Sequence, residues 1–209
     1  VKHLYQTENL GCKYGVHSAI TWFFSQVEQG IILEDDVVPS NSFFQFCEDM
    51  LIRYKDDKRV GSVCGLNIMN KLENNCDYSF SKYSLPWGWA TWRDRWNLMD
   101  LELATYKDLD INKFLASVIP GNENFVLGWR SVLDRTLAGD FDAWDYQWMY
   151  SFWLHQFVTV VPKKNLVRNI GYGVDATHTK LHDKVLSNLI AHELNFPLRS
   201  NSLICFFKT

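Results

Sequence analysis

Ile31-Ile32-Leu33-Glu34-Asp35-Asp36 joins an apolar run to three consecutive carboxylates, and that junction decides how the chain is read. The first three residues are apolar and partly β-branched, as a covered central strand requires. Gly30 opens the strand, and Pro39 stops extension just beyond it. Adjacent acids repel one another and resist burial. At a strand end they gain a use if a divalent cation and the diphosphate it carries bind there. Ligands of open α/β sheets bind at the carboxyl ends of strands. A solvated acidic loop is the plain alternative.

Working outward, Val16, Ala19, Ile20, Phe23 and Val27 recur at helical spacing, and Gln29-Gly30 ends that helix. Ser42 with Gln45 suggests a capping box, opening a helix that buries Phe43, Phe46, Cys47, Met50 and Tyr54. Val60 to Cys64 predicts a second strand, with Gly65-Leu66-Asn67 as the loop at its end. Helix, strand, helix, strand in that order predicts an α/β sheet, mixed but mostly parallel and flanked by helices. Further on, Tyr78 to Tyr83 suggests a strand, and Pro86 to Trp92 a turn running into a helix toward Trp96. Helices are expected through Val126 to Leu137, closed by Gly139, and from Tyr146 to His155. A strand over Val158 to Val161 stops at Pro162, and a last helix is expected from Val185 to Leu194. No internal repeat or low-complexity linker divides the chain, so one domain is the simplest organisation.

With 209 residues, 47% of them hydrophobic, the chain can bury a substantial core. A net charge of -3 without a basic stripe argues against a nucleic-acid partner. No apolar run is long enough for a membrane span, and Val1-Lys2-His3-Leu4 has no signal-peptide pattern. A start at Val-Lys reads as a fragment or a processed product. The five cysteines are widely spaced and odd in number, which suggests reduced thiols and a cytoplasmic setting. The inner face of a membrane is the second placement considered.

Three constellations can carry chemistry. In the first, strand alternation puts Glu34 and Asp36 on one side and Asp35 on the other. In the second, Asp145 of Trp144-Asp145-Tyr146-Gln147-Trp148 stands where a helix begins and is suited to an N-cap. A helix N-terminus favours its ionised form, and an ionised carboxylate among indoles can also take a proton from a hydroxyl. In the third, Thr177-His178-Thr179 follows Gly171 and Gly173. Imidazole donates to phosphate oxygens, and the glycines allow close approach to a ligand. A surface histidine in a loop is the alternative for His178.

With these motifs in view, the chain resembles the GT-A glycosyltransferases. The nearest likeness is to the inverting N-acetylglucosaminyltransferases of complex N-glycan synthesis and to bacterial nucleotide-diphospho-sugar transferases. Glu34-Asp35-Asp36, followed by Val37-Val38-Pro39 and Phe43-Phe44, looks like the metal-binding segment of that family. The resemblance places the metal on Asp36, manganese ahead of magnesium, and sets Glu34 and Asp35 beside the nucleotide sugar. Gly65-Leu66-Asn67 falls at the second-strand loop, which implies a donor-side role for Asn67. Leu85-Pro86-Trp87-Gly88-Trp89 resembles the segment beside acceptor and donor sugar, although Trp87 stands where the family has Gly. Trp144-Asp145 resembles the pair whose aspartate is the catalytic base. The glycine loop with His178 is similar to the segment after the next strand.

The likeness runs from about Val1 to Thr179, so residues 1–179 are expected to be the catalytic part of a GT-A domain and 180–209 a helical tail. Val1 to Tyr5 resembles a later strand of the nucleotide-binding half, with the first strands of the fold missing before residue 1. The implied activity is metal-dependent inverting transfer of a sugar from a nucleotide-diphosphate donor, a UDP-sugar first, to a glycan or other hydroxyl acceptor. Asp145 would be the base, and Trp87, Gly88 and Trp89 would line the sugar and acceptor side. The alternatives are a sugar-nucleotide nucleotidyltransferase and a non-catalytic carbohydrate- or protein-binding fragment.

Overall fold

The computed structural model describes residues 1–69, 76–171 and 186–199. In chain order these form α1 (Gly11–Gln26), β1 (Gln29–Ile32), β2 (Val37–Pro39), α2 (Asn41–Arg53), β3 (Val60–Cys64), β4 (Tyr78–Ser81) and β5 (Trp89–Trp92). There follow α3 (Arg93–Trp96), a 3-10 turn (Ala104–Asp108), α4 (Ile111–Val118), α5 (Glu123–Ala138), α6 (Asp145–Leu154), β6 (Val158–Pro162) and β7 (Val167–Asn169). The chain divides into two compact units. Residues 1–28 with 93–157 form a helical unit, and 29–92 with the described residues from 158 onward form a strand unit. Among the described residues no helix is long and apolar enough to cross a membrane.

The sheet of the strand unit has the order β1-β5-β3-β6-β4, and β2 with β7 makes a separate two-stranded ribbon. Of its pairings, only β3–β6 is parallel; β1–β5, β3–β5 and β4–β6 are antiparallel. The expectation of a mostly parallel sheet is therefore overturned. Its cause lies in Trp89–Trp92, expected at the turn-to-helix junction and found as a strand. That strand inserts between β1 and β3 and pairs antiparallel with both. Strand β1 is correspondingly half-buried at one end of the order, not a covered central strand. Val37-Val38-Pro39, where Pro39 was expected to stop extension, is the short strand β2. Residues 1–6 form no strand, and of the helix expected over Val185–Leu194 the described part is a turn at 186–188 followed by irregular chain.

Helix α2 covers the sheet with Phe43, Phe46, Cys47 and Met50, each at most 1% exposed, against Val60, Val63, Ala90 and Val160. Val60 and Val63 are an odd number of residues apart and would face opposite sides of a regular strand. A register shift between Val60 and Ser62 resets the alternation and lets both valines join this core. Burial pushes the Cys47 thiol well above its ordinary value, with a further rise from Cys64, consistent with Cys47 as a small core residue. On β3 and β6 the hydroxyls of Ser62 and Thr159 satisfy each other at 2.8 Å.

Two glycines seat the ribbon. A Cβ on Gly65 would lie 2.5 Å from Val167 Cγ1 and 2.8 Å from the Phe43 ring, and one on Gly88 would lie 2.7 Å from the same Val167 methyl. Gly65 also donates to Gly88 O at 2.7 Å and accepts from Leu166 N at 2.8 Å. These contacts tie the ends of β3 and β5 to the chain entering β7.

Two helix starts, those of α1 and α2, are met by carboxylates from far along the chain. Helix α2 begins at Asn41 with Ser40 at its N-cap, and Ser40 makes no capping bond, so the expected box from Ser42 does not form. Instead the Glu193 carboxylate accepts from Asn41 N at 3.1 Å, from Ser42 N at 2.8 Å and from the Ser42 hydroxyl. In the helical unit, Asp142 accepts from Cys12 N at 2.8 Å and Lys13 N at 2.9 Å at the start of α1. At the other end of α1, Arg93 Nε donates to Phe24 O at 2.6 Å and Val27 O at 3.0 Å. Both placements complement the helix dipole. Trp96 centres the core of that unit, with ring centroids 5.3 Å from Trp148 and 6.1 Å from Trp144 and its indole N–H on Thr21 Oγ1 at 3.0 Å.

Gly65→Ala is expected to lower stability by about 1–3 kcal/mol, the usual cost of overpacking, because the new methyl meets Val167 and Phe43. An unchanged urea midpoint would show that the ribbon is not seated by this contact. Bonds from the hydroxyl and amide of Ser42 hold Glu193 below its ordinary carboxylate value. A depressed carboxylate stabilises fully above its unfolded value and loses that contribution as pH falls through its folded one. Glu193→Gln should therefore flatten the fall in urea midpoint between about pH 5 and pH 3, and equal profiles for parent and variant would exclude this role.

Candidate functional site

Strand directions gather one group of predicted residues. Strands β1 and β3 both run antiparallel to β5, and β3 runs parallel to β6, so β1, β3 and β6 share a direction. Ile32 and Cys64 both pair with Trp89. The turn after β1, the Gly65–Asn67 loop and the Trp87-Gly88 entry to β5 thus belong to one end of the sheet. This is the carboxyl end of β1 and β3, where the acids were expected to act.

The three acids do not behave as a set. Val37 N donates to Glu34 O at 3.1 Å, closing a tight turn with Asp35 and Asp36 at its centre. Strand alternation consequently does not apply. Asp35 is exposed, whereas Glu34 and Asp36 are half-buried. The main chain of Asp36 accepts from Ile170 N at 2.8 Å, next to the Val37–Asn169 pair of the ribbon. Its Oδ2 accepts from Asn169 Nδ2 at 3.1 Å. Its Oδ1 is out of reach of water and has no hydrogen-bond partner among the described residues.

A carboxylate oxygen in that state is costly unless another group meets it. A hard divalent cation would, since such ions bind through one or two carboxylates and take their remaining ligands from phosphates and water. Among the described residues no group of three or more His, Cys, Asp or Glu is assembled for a metal. The unpartnered Asp36 oxygen is a donor of the type a hard cation takes.

The other expected residues divide. Trp87 is half-buried and packs against the core. Gly88 is buried with φ +59°, a conformation that favours glycine, and Val167 fills the space beside it. Trp89 is fully buried in β5, which leaves no face for a sugar. Asn67 is 2% exposed, and its amide donates to Pro162 O at 2.7 Å and Lys163 O at 3.0 Å. Its donors shape the loop and are not turned to a ligand. Gly173, Thr177, His178 and Thr179 lie outside the described residues.

Asp145 belongs to the helical unit, where it is the first residue of α6 with Trp144 at the N-cap position. It is half-buried. Burial, and then the charge of Asp145, push the Tyr146 phenol above its ordinary value. Aromatic rings lie on both sides in sequence. Trp144 packs on Trp96, and the Tyr146 ring centroid is 5.2 Å from Phe141 and 6.3 Å from Trp129. The structure thus has an acid at a helix N-terminus among aromatics, with the acid at the first helical position.

Two asparagines had no local signal. Asn165 is fully buried; its oxygen accepts from Asn67 N at 3.1 Å and its amide donates to Val167 O at 2.6 Å and Ile190 O at 3.0 Å. Asn169 faces Asp36. Polar residues between Lys164 and Asn169 read as ordinary loop chemistry, and only the folded chain shows what they bind. Asn165→Ala would strand an amide and two carbonyls, so a loss of about 2–4 kcal/mol is expected in denaturant unfolding. A change under about 0.5 kcal/mol, the range of neutral surface substitutions, would show that water replaces these bonds.

No protein-family model matches the chain, and a search of curated proteins returns no match.

Proposed function

We propose that this chain is a metal-dependent inverting glycosyltransferase acting on a nucleotide-diphosphate sugar, a UDP-sugar first, and a glycan or other hydroxyl acceptor. The observation that carries the proposal is Asp36 Oδ1, a carboxylate oxygen withdrawn from water without a partner among the described residues, at the carboxyl end of β1. A divalent cation bound there, manganese ahead of magnesium, would supply a Lewis acid that offsets charge on the departing diphosphate. Asp36 holds the donor side, and the exposed Asp35 in the same turn offers a carboxylate to the sugar nucleotide. Trp87, half-buried at the entry to β5, is the aromatic that would meet the C–H face of a sugar.

The proton falls to Asp145. An ionised aspartate in the first turn of α6 is favoured by the helix dipole. It accepts the proton of the acceptor hydroxyl as the oxygen attacks the anomeric carbon and the carbon–diphosphate bond breaks, which inverts the configuration.

Kinetics of two variants test the proposal. Asp145→Asn keeps the shape and removes the basicity, so kcat should fall by roughly 10²–10⁴ with little change in donor binding. Asp36→Ala should abolish manganese-dependent turnover. Near-normal kcat in Asp145→Asn would exclude it as the base, and metal-dependent turnover surviving in Asp36→Ala would exclude the metal role.

A further inference from the structure

Resting on the metal role proposed for Asp36, we propose that Asn169 and Gly171 are its positioning residues: Asn169 pins one carboxylate oxygen so that the other is offered to the cation, and Gly171 leaves the carboxylate the room to sit there. An unrestrained aspartate carboxylate rotates and presents either oxygen. Here Asn169 Nδ2 donates to Asp36 Oδ2 at 3.1 Å, which leaves Oδ1 as the oxygen without a hydrogen-bond partner among the described residues.

The amide is itself held. Gly171 N donates to Asn169 Oδ1 at 2.7 Å. A backbone N–H can only donate, so it meets the amide oxygen and turns the NH₂ end toward Asp36. An ionised carboxylate can only accept, which completes a directed relay from Gly171 N–H through the Asn169 amide to Asp36. The ribbon delivers these groups in register, with Val37 opposite Asn169 and Ile170 N on Asp36 O at 2.8 Å.

Gly171 adds a steric condition. A Cβ there would collide with Asp36 Oδ2 and crowd Cβ and Cγ of Asp36, each 3.0 Å away. Its backbone lies outside the left-handed region, so the glycine serves space and not conformational freedom. Outer-shell groups of this kind commonly change metal affinity without touching the metal.

A bond that merely stapled β2 to β7 would predict lost stability and unchanged metal affinity. The discriminating measurement is Mn²⁺ affinity by electron paramagnetic resonance in the presence of uridine diphosphate, beside thermal unfolding without metal. Asn169→Ala and Gly171→Ala should each bind Mn²⁺ about 10- to 100-fold more weakly than the parent, and Asp36→Ala should show no specific binding. If the folded Asn169→Ala variant binds within about twofold of the parent while Asp36→Ala does not bind, the positioning role is overturned and the metal role of Asp36 stands. If the parent shows no specific binding, or Asp36→Ala binds like the parent, the metal role falls and this inference falls with it. Should Asn169→Ala fail to fold, Gly171→Ala decides, because it retains the Asn169 amide; affinity within the same twofold range overturns the proposal.

Discussion

The Cγ1 methyl of Val167 occupies the space that a side chain on Gly65 or Gly88 would fill, and this close approach sets where the β2–β7 ribbon lies. Strand β3 ends just before Gly65 and β5 begins just after Gly88, so the ribbon is seated on one end of the sheet. Everything proposed for the donor side inherits its position from that seat. Asp36 immediately precedes β2, Asn169 ends β7, and their bond spans the two strands. Two hydrogens in place of two methyl groups thus place a carboxylate more than a hundred residues from its partner along the chain.

Remote carboxylates organise the helices in the same way. The amides of Cys12 and Lys13 in α1 bind Asp142 and those of Asn41 and Ser42 in α2 bind Glu193, with Cys12 130 residues from Asp142 and Ser42 151 residues from Glu193. Neither N-cap residue, Leu10 or Ser40, makes a side-chain capping bond. An exposed helix start can leave its amides to water, so the gain here is less in strength than in linkage. Each cap joins two distant parts within one unit. Arg199 does similar work at the edge of β4: burial alone would raise Asp77, but bonds and charge from Arg199 outweigh it and hold the carboxyl below its ordinary value.

Chemistry and stability make opposite demands on polar groups in the strand unit. Asn67 and Asn165 are buried and spend their amides on main-chain carbonyls, so they consolidate the loops after β3 and β6. Asp36 is held on one oxygen, and the other has no hydrogen-bond partner among the described residues. A half-satisfied carboxylate costs stability, and the metal-dependent transfer proposed above gives that cost a purpose. Trp87 and Trp89, two residues apart, divide likewise: one is half-buried and the other is wholly core.

Local pattern was enough for elements whose burial follows a period. Helices α1 and α5 are legible from apolar spacing, Gly139 closes α5 in the left-handed conformation that glycine favours, and β3 and β6 are legible as short apolar runs, whereas α6 is buried continuously from Gln147 to Trp153 and follows no period. The acid turn and Asp145 were visible as carboxylates in unusual company. Strand direction was not visible, because it depends on which strand lies beside which, and β5 entered between β1 and β3 from a segment rich in Pro, Gly and Trp. Three-residue strands such as β2 and β7 are too short to show a period. The partners of Asp36, α1 and α2 were equally hidden, since a hydrogen bond between distant residues leaves no mark in either neighbourhood. Sequence by itself determined which segments bury a face and which residues carry charge. Tertiary structure alone decided which oxygen of Asp36 is tied and which is open, because that depends on an amide brought beside it only when the ribbon closes.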